Sequence, residues 1–139
     1  MGYGVWDMGK ILYYPSMEKI QDYKELIVWQ EAMNLAEIVY AQTKNFPKEE
    51  LYGIISQIRR AVVSVPANIA EGYGRKNRAE YLHFLSIANG SLTETETHLL
   101  LSKRIGYLTK EQMDSLQKQL NIVGKLLTAL RRSLAIKTK

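Results

Sequence analysis

Residues 109–134 read TKEQMDSLQKQLNIVGKLLTALRRSL, and the spacing of their apolar side chains decides the fold class. Met113, Leu116, Leu120, Val123, Leu127, Leu130 and Leu134 alternate in steps of three and four. That period puts all seven on one helical face as a heptad-like seam. Thr109 with Gln112 three residues on has the capping-box spacing that starts such a helix.

Moving back along the chain, three more helices are predicted. A third helix starts at Asn77, with Glu80 again three residues on, and extends to about Ile105, where Gly106 suits the position just past the end. The second helix carries Leu51, Ile54, Ile58, Val62, Val65 and Ile69 on its apolar face. Pro47 fits its first turn, and Glu49 and Glu50 favour the positive end of its dipole. It ends near Gly72-Tyr73-Gly74, where glycine tolerates a left-handed C-cap. Pro66 lies inside it and cannot donate to the Val62 carbonyl, so a kink is expected there. The first helix runs from about Asp22 to Asn45 and stops at Phe46-Pro47, with Leu26, Trp29, Met33, Ala36 and Tyr40 on one face. No segment shows the period-two alternation of a strand. Four such helices with short links predict an all-α, antiparallel up-down-up-down four-helix bundle.

Residues 17–139 make up the expected bundle domain. Residues 1–16, MGYGVWDMGKILYYPS, hold three of the nine glycines and three of the nine tyrosines and lack helical periodicity. They are expected to form an N-terminal extension outside the core, Met17 being a natural start. At 139 residues the chain suits one domain, and 46% hydrophobic with 24% charged residues is an ordinary globular balance. Cysteine is absent, which excludes disulfides, zinc-thiolate sites and thiol nucleophiles and fits a reducing compartment. No apolar run reaches the roughly 18 residues of a spanning helix, and no basic segment precedes an apolar one at the N-terminus. A cytoplasmic protein without a membrane partner is the expectation.

The net charge of +5 is unevenly placed. From Met1 to Ile58 there are five Lys/Arg against eight Asp/Glu; from His98 to Lys139 there are nine against two. Clustered cations attract phosphate backbones, though a solvated basic helix face has the same composition. Arg75, Lys76 and Arg78 concentrate charge at the start of the third helix, where free backbone N–H groups add an anion site. Arg131 and Arg132, with Lys125, Lys137 and Lys139, make the end of the chain basic.

Beside the apolar face of the second helix, Gln57, Arg60, Ser64, Asn68, Glu71 and Arg75 recur at steps of three or four as a polar stripe. One reading is a half-buried network, with Arg60 paired to Glu71 or to Glu94 of the third helix and Ser64 or Asn68 serving carbonyls freed by Pro66. The other is a contact surface for phosphates or another subunit. Gly90-Ser91 in the third helix is expected to permit close helix approach. His83 and His98 lie fifteen residues apart, His83 follows Glu80 by three with no second such pair, and no phosphate-cradling glycine loop is present. No catalytic residue, metal or cofactor is expected.

The segments Tyr23-Lys24-Glu25-Leu26-Ile27-Val28-Trp29-Gln30, Gln57-Ile58-Arg59-Arg60-Ala61, Ser64-Val65-Pro66-Ala67-Asn68-Ile69-Ala70-Glu71-Gly72-Tyr73-Gly74-Arg75 and Gly90-Ser91-Leu92-Thr93-Glu94 resemble the four-helix-bundle proteins encoded in intervening sequences of bacterial 23S rRNA genes. Phe46-Pro47 and Gly106-Tyr107-Leu108 fit as well, so the resemblance spans about Ile20 to Leu134. It implies an up-down bundle that assembles as a homo-pentamer, distantly akin to the basic, nucleic-acid-binding barrels of diversity-generating retroelements. Thr95 departs from the aliphatic residue of the resemblance. The expected function is a non-enzymatic homo-oligomer binding structured RNA or a nucleoprotein, with Arg59, Arg75, Lys76, Arg78, Arg131 and Arg132 as phosphate contacts. The rival expectation is a protein-interaction scaffold with no nucleic-acid role. A ligand-binding bundle would instead require Arg60, Asn68, Glu71 and Glu94 to converge on a pocket.

Overall fold

The structure, a computed structural model, describes residues 20–137; the extension assigned to residues 1–16 lies outside them. Asp22 opens the first turn, its carboxylate accepting the Lys24 N–H at 2.9 Å over a single 3₁₀ turn, Tyr23–Glu25. Leu26 is extended (φ −70°, ψ 127°), so helix α1 begins at Ile27 and runs to Thr43. A second 3₁₀ turn, Lys48–Glu50, precedes α2, Ile54–Tyr73. Helices α3, Arg78–Arg104, and α4, Lys110–Lys137, complete the described chain, which contains no strand.

Each helix packs on two neighbours, in the ring order α1–α2–α3–α4. Contacts that climb one helix descend the next. Ser64 meets Ser91, while Gly72 lies against Tyr81 and Phe84. Gln117 reaches Glu96, while Arg131 reaches Ser86. Arg59 meets Thr43 near the start of α2, and the Tyr73 hydroxyl donates to the Ile20 carbonyl at its end. Gln119 donates to the Glu31 carbonyl and carboxylate at 3.0 and 2.8 Å, while Tyr107, just before α4, packs with its ring tilted against Phe46, just after α1. The bundle is therefore antiparallel throughout.

The predicted seam of α4 is the buried one: Met113, Leu116, Leu120, Val123, Leu127 and Leu130 are in the core, and Leu134 packs at its edge. The first helix differs. Of its predicted face, Leu26 and Ala36 are buried and Trp29 packs against the core, but Met33 and Tyr40, expected inside, are 36% and 39% exposed, and Val28, Ala32, Leu35 and Val39 are buried instead. The sequence carries two overlapping three-and-four ladders here, and the packing of α2 and α4 selects the other one. The start of α2 differs too. The backbone leaves helical geometry at Gly53 (φ −110°, ψ −117°), so Pro47 caps the 3₁₀ turn and Leu51 stays exposed.

Helix α2 stays α-helical through buried Pro66. Its end falls at Tyr73 as predicted, but Gly74 is right-handed (φ −77°), so no left-handed cap forms. Gly72 is needed for another reason. A Cβ there would come within 2.9 Å of Phe84 Cβ and 3.2 Å of the Tyr81 carbonyl, so only glycine allows α3 this close.

Both predicted caps form. Asn77 Oδ1 accepts the Glu80 N–H at 2.8 Å, and Thr109 and Gln112 exchange side-chain-to-backbone bonds at 3.1 and 2.8 Å. At the end of α3, Gly106 takes φ +90°; its N–H bonds the Lys103 carbonyl and that of Tyr107 bonds the Ser102 carbonyl. These are the paired bonds of a Schellman motif. Tyr107 then donates to the Glu50 carboxylate at 2.7 Å, tying the α3–α4 turn to the α1–α2 connection. Among the described residues, no helix is long and apolar enough to cross a membrane.

Candidate nucleic-acid interface

The polar stripe of α2 divides in two. Asn68 Nδ2 donates to the Ser64 carbonyl and hydroxyl at 2.8 and 2.9 Å, and Ser91 of α3 donates to the same hydroxyl at 2.9 Å. This is a polar clip between α2 and α3. Asn68 thus serves the Ser64 carbonyl, not that of Val62, which Pro66 deprives of its donor. The expected pairing of Arg60 does not form. Glu71 lies eleven residues on, roughly 16 Å along the axis, and binds Arg75 at 2.7 Å. Glu94 instead holds His98 at 3.3 Å. Arg60 is exposed and has no ion-pair partner among the described residues. Gln57, Arg60, Ser64, Ser91 and Glu94 share an open cleft of about 480 Å³, from which Asn68 and Glu71 are missing.

Of the three cations at the α2–α3 turn, Arg75 is already engaged. Its guanidinium pairs with Glu71 at 2.7 Å and Glu80 at 3.9 Å and lies 4.7 Å over the Phe84 ring. The start of α3 is occupied by the chain's own groups: Asn77 accepts the Glu80 N–H and donates 2.6 Å to its carboxylate. An anion would have to compete with Glu80 there. Lys76 and Arg78 carry no ion pair among the described residues.

A polar surface opens between α3 and α4. A groove of about 510 Å³ has Leu92, Leu120 and Gly124 in its floor and Asn89, Thr93, Asn121, Thr128, Lys125 and Arg132 among its lining. Its one carboxylate, Glu96, accepts from Gln117 at 2.6 Å. Lys125 and Arg132 have no carboxylate partner among the described residues, and Arg131 donates to Ser86 at 3.2 Å across the two helices. Because α3 and α4 are antiparallel, Arg131 and Arg132 share one pole of the bundle with Lys76 and Arg78. Arg59 is not part of this group. It sits fourteen residues before Tyr73, the end of α2, roughly 21 Å along the axis from that pole. Its guanidinium donates to Thr43 Oγ1 at 3.0 Å and the Tyr40 carbonyl at 3.4 Å, above the Tyr40 ring.

Beside Lys125 and Arg132, which the charge count named, the groove brings in Asn89, Thr93, Asn121 and Thr128. Gln117, Asn121, Lys125, Thr128 and Arg132 follow one another at steps of four, four, three and four, a polar stripe beside the α4 seam that periodicity alone could have located. Glycine at Gly90 has no packing role: a Cβ there would meet nothing within 4 Å, and only Ser91 touches α2. Lysine, arginine, amide and hydroxyl donors over an apolar floor bind phosphate and sugar oxygens. Among the described residues, no three His, Asp or Glu side chains are placed to hold a metal ion.

A family model described as 23S rRNA-intervening sequence protein matches residues 24–129. Among solved structures, the chain is similar to one described as a protein with unknown function from the S23 ribosomal protein family of Bacteroides thetaiotaomicron VPI-5482. The two are 29% identical, the match covers 76% of this chain and 98% of that one, and the TM-score is 0.69. No curated protein matches the chain.

Proposed function

The chain belongs to the 23S rRNA-intervening sequence protein family, and on that premise we propose a non-enzymatic, homo-oligomeric bundle that binds structured RNA in the cytoplasm. The observation that supports this reading is the α3–α4 groove, where Lys125 and Arg132 have no carboxylate partner among the described residues and stand among amide and hydroxyl donors. Arg131, Lys76 and Arg78 extend the positive surface at the same pole. Each cation contacts phosphate and none reads a base, so affinity follows charge and shape rather than sequence.

Self-assembly, pentameric as the family resemblance implies, is supported by apolar side chains left exposed along α3 and at its end. Ile87, Leu101 and Ile105 are exposed on one helical face, with Gly90 open between them. These side chains also favour the rival reading, a protein scaffold without RNA.

Filter binding to a structured RNA across a salt series tests the proposal. Affinity should fall as salt rises, and the paired substitutions Arg131→Ser and Arg132→Ser should lower the slope of log affinity against log salt by about two. Affinity absent at low salt refutes RNA binding, and affinity insensitive to salt refutes the phosphate contacts. A light-scattering mass of several subunits with no co-purifying nucleic acid would then leave the scaffold.

A further inference from the structure

A second groove, of about 680 Å³, opens between α1 and α2 at the pole opposite Lys76 and Arg78. Its lining is mostly apolar, with Ile55 and the exposed side chains Leu51 and Val63 among it. Two aromatic rings, Tyr40 and Tyr52, and two arginines, Arg59 and Arg60, complete its working surface. Tyr52 is 93% exposed in the turn before α2, so nothing within the described chain accounts for a large ring held in water there. Arg59 is fixed by its bonds to Thr43 and Tyr40, which leaves it a rigid plane over a ring. Arg60 is free of ion pairs among the described residues. No carboxylate lines the groove. Glu50, nearby in sequence, turns its oxygens to the Tyr107 hydroxyl and the Ile54 N–H.

The geometry points to a site for one unpaired nucleotide of an RNA strand, its base stacked on Tyr52 and its phosphate at Arg60. An apolar groove holding cations without counter-charges needs an occupant that brings a flat apolar surface and a negative charge together. A nucleotide supplies both, and exposed aromatic rings and arginine planes are what unstacked bases pack on. A base inside a duplex cannot offer its face, so the site selects single strands. The inference rests on the RNA-binding reading and adds a base-stacking site to its phosphate contacts.

The full chain and its variants are titrated with single-stranded oligoadenylate and with an RNA duplex of equal length. Tyr52→Ala should weaken oligoadenylate roughly tenfold, the loss of about one stacked base, and leave the duplex unchanged. Tyr52→Trp should keep the affinity, and its added indole fluorescence should be quenched by oligoadenylate. Arg60→Gln should lower the salt slope by about one. Wild-type affinity for RNA that survives Tyr52→Ala intact overturns the stacking site and spares the RNA-binding reading; a wild type that binds neither probe overturns both. A fall in light-scattering mass on Tyr52→Ala overturns the site by assigning the groove to a contact between subunits.

Discussion

Tyr81 and Tyr73 meet edge to face where α2 turns into α3, with ring centres 6.2 Å apart. Burial, with the neighbouring Tyr73 adding to it, pushes the Tyr81 phenol far above the ordinary tyrosine value of 10.0. The folded chain thus holds this proton more tightly than the unfolded chain. Its contribution to stability is complete below pH 10 and is lost as pH rises beyond that. The urea midpoint should therefore fall above pH 10, and Tyr81→Phe should make that fall shallower. An unchanged alkaline profile in the variant would contradict the role of burial. Single residues were the least legible part of the sequence. Thr43, Thr95 and Ser102 are the buried polar residues of the described chain, and each donates to the carbonyl four residues back, at 2.8 Å. That internal bond lets Thr95 occupy a position suited to an aliphatic side chain. Nothing in residue type announces it.

Helices as elements were legible where one apolar ladder dominates and ambiguous where two compete. Helix α4 offers a single seam and buries it, whereas α1 offers two and buries the one that α2 and α4 can cover. Boundaries followed side-chain caps well at Asn77 and Thr109, because a cap is a local hydrogen bond. The start of α2 escaped because its break at Gly53 is a backbone excursion with no capping side chain. The two helical-region glycines Gly90 and Gly106 should respond in opposite senses to alanine. At Gly106 the φ of +90° makes Gly106→Ala cost about 1 kcal/mol. At Gly90 the new methyl meets open space within the subunit, so Gly90→Ala should add about 0.5 to 1 kcal/mol to the dissociated subunit through helix propensity. Urea unfolding of both variants reads the two signs, and a destabilised Gly90→Ala would mean that the face is covered.

For the molecule as a whole, charge counting named Arg75 beside Arg131 and Arg132 but could not show that Arg75 pairs with Glu71 and Glu80, which depends on which side of a turn each residue faces. The α3–α4 groove of the candidate site exists only once two distant helices are side by side. That closure has a cost in time as well as in geometry. Contacts between α2 and α3 join residues as close as Gly72 and Tyr81, but the α1–α4 seam joins Glu31 to Gln119, eighty-eight positions apart. Closing a longer loop sacrifices more chain entropy, so local pairings form before remote ones. The α2–α3 hairpin should be in place when the folding barrier is crossed, with the α1–α4 seam zipped afterwards. Gln119→Ala, which removes two hydrogen bonds worth about 1 kcal/mol together, should therefore speed unfolding and leave the folding rate nearly unchanged. Stopped-flow refolding slowed in proportion to the lost stability would put the seam in the nucleus instead. The antiparallel ring thus fixes an order of events: the joint between the first and last helices is the last to close and the first to part.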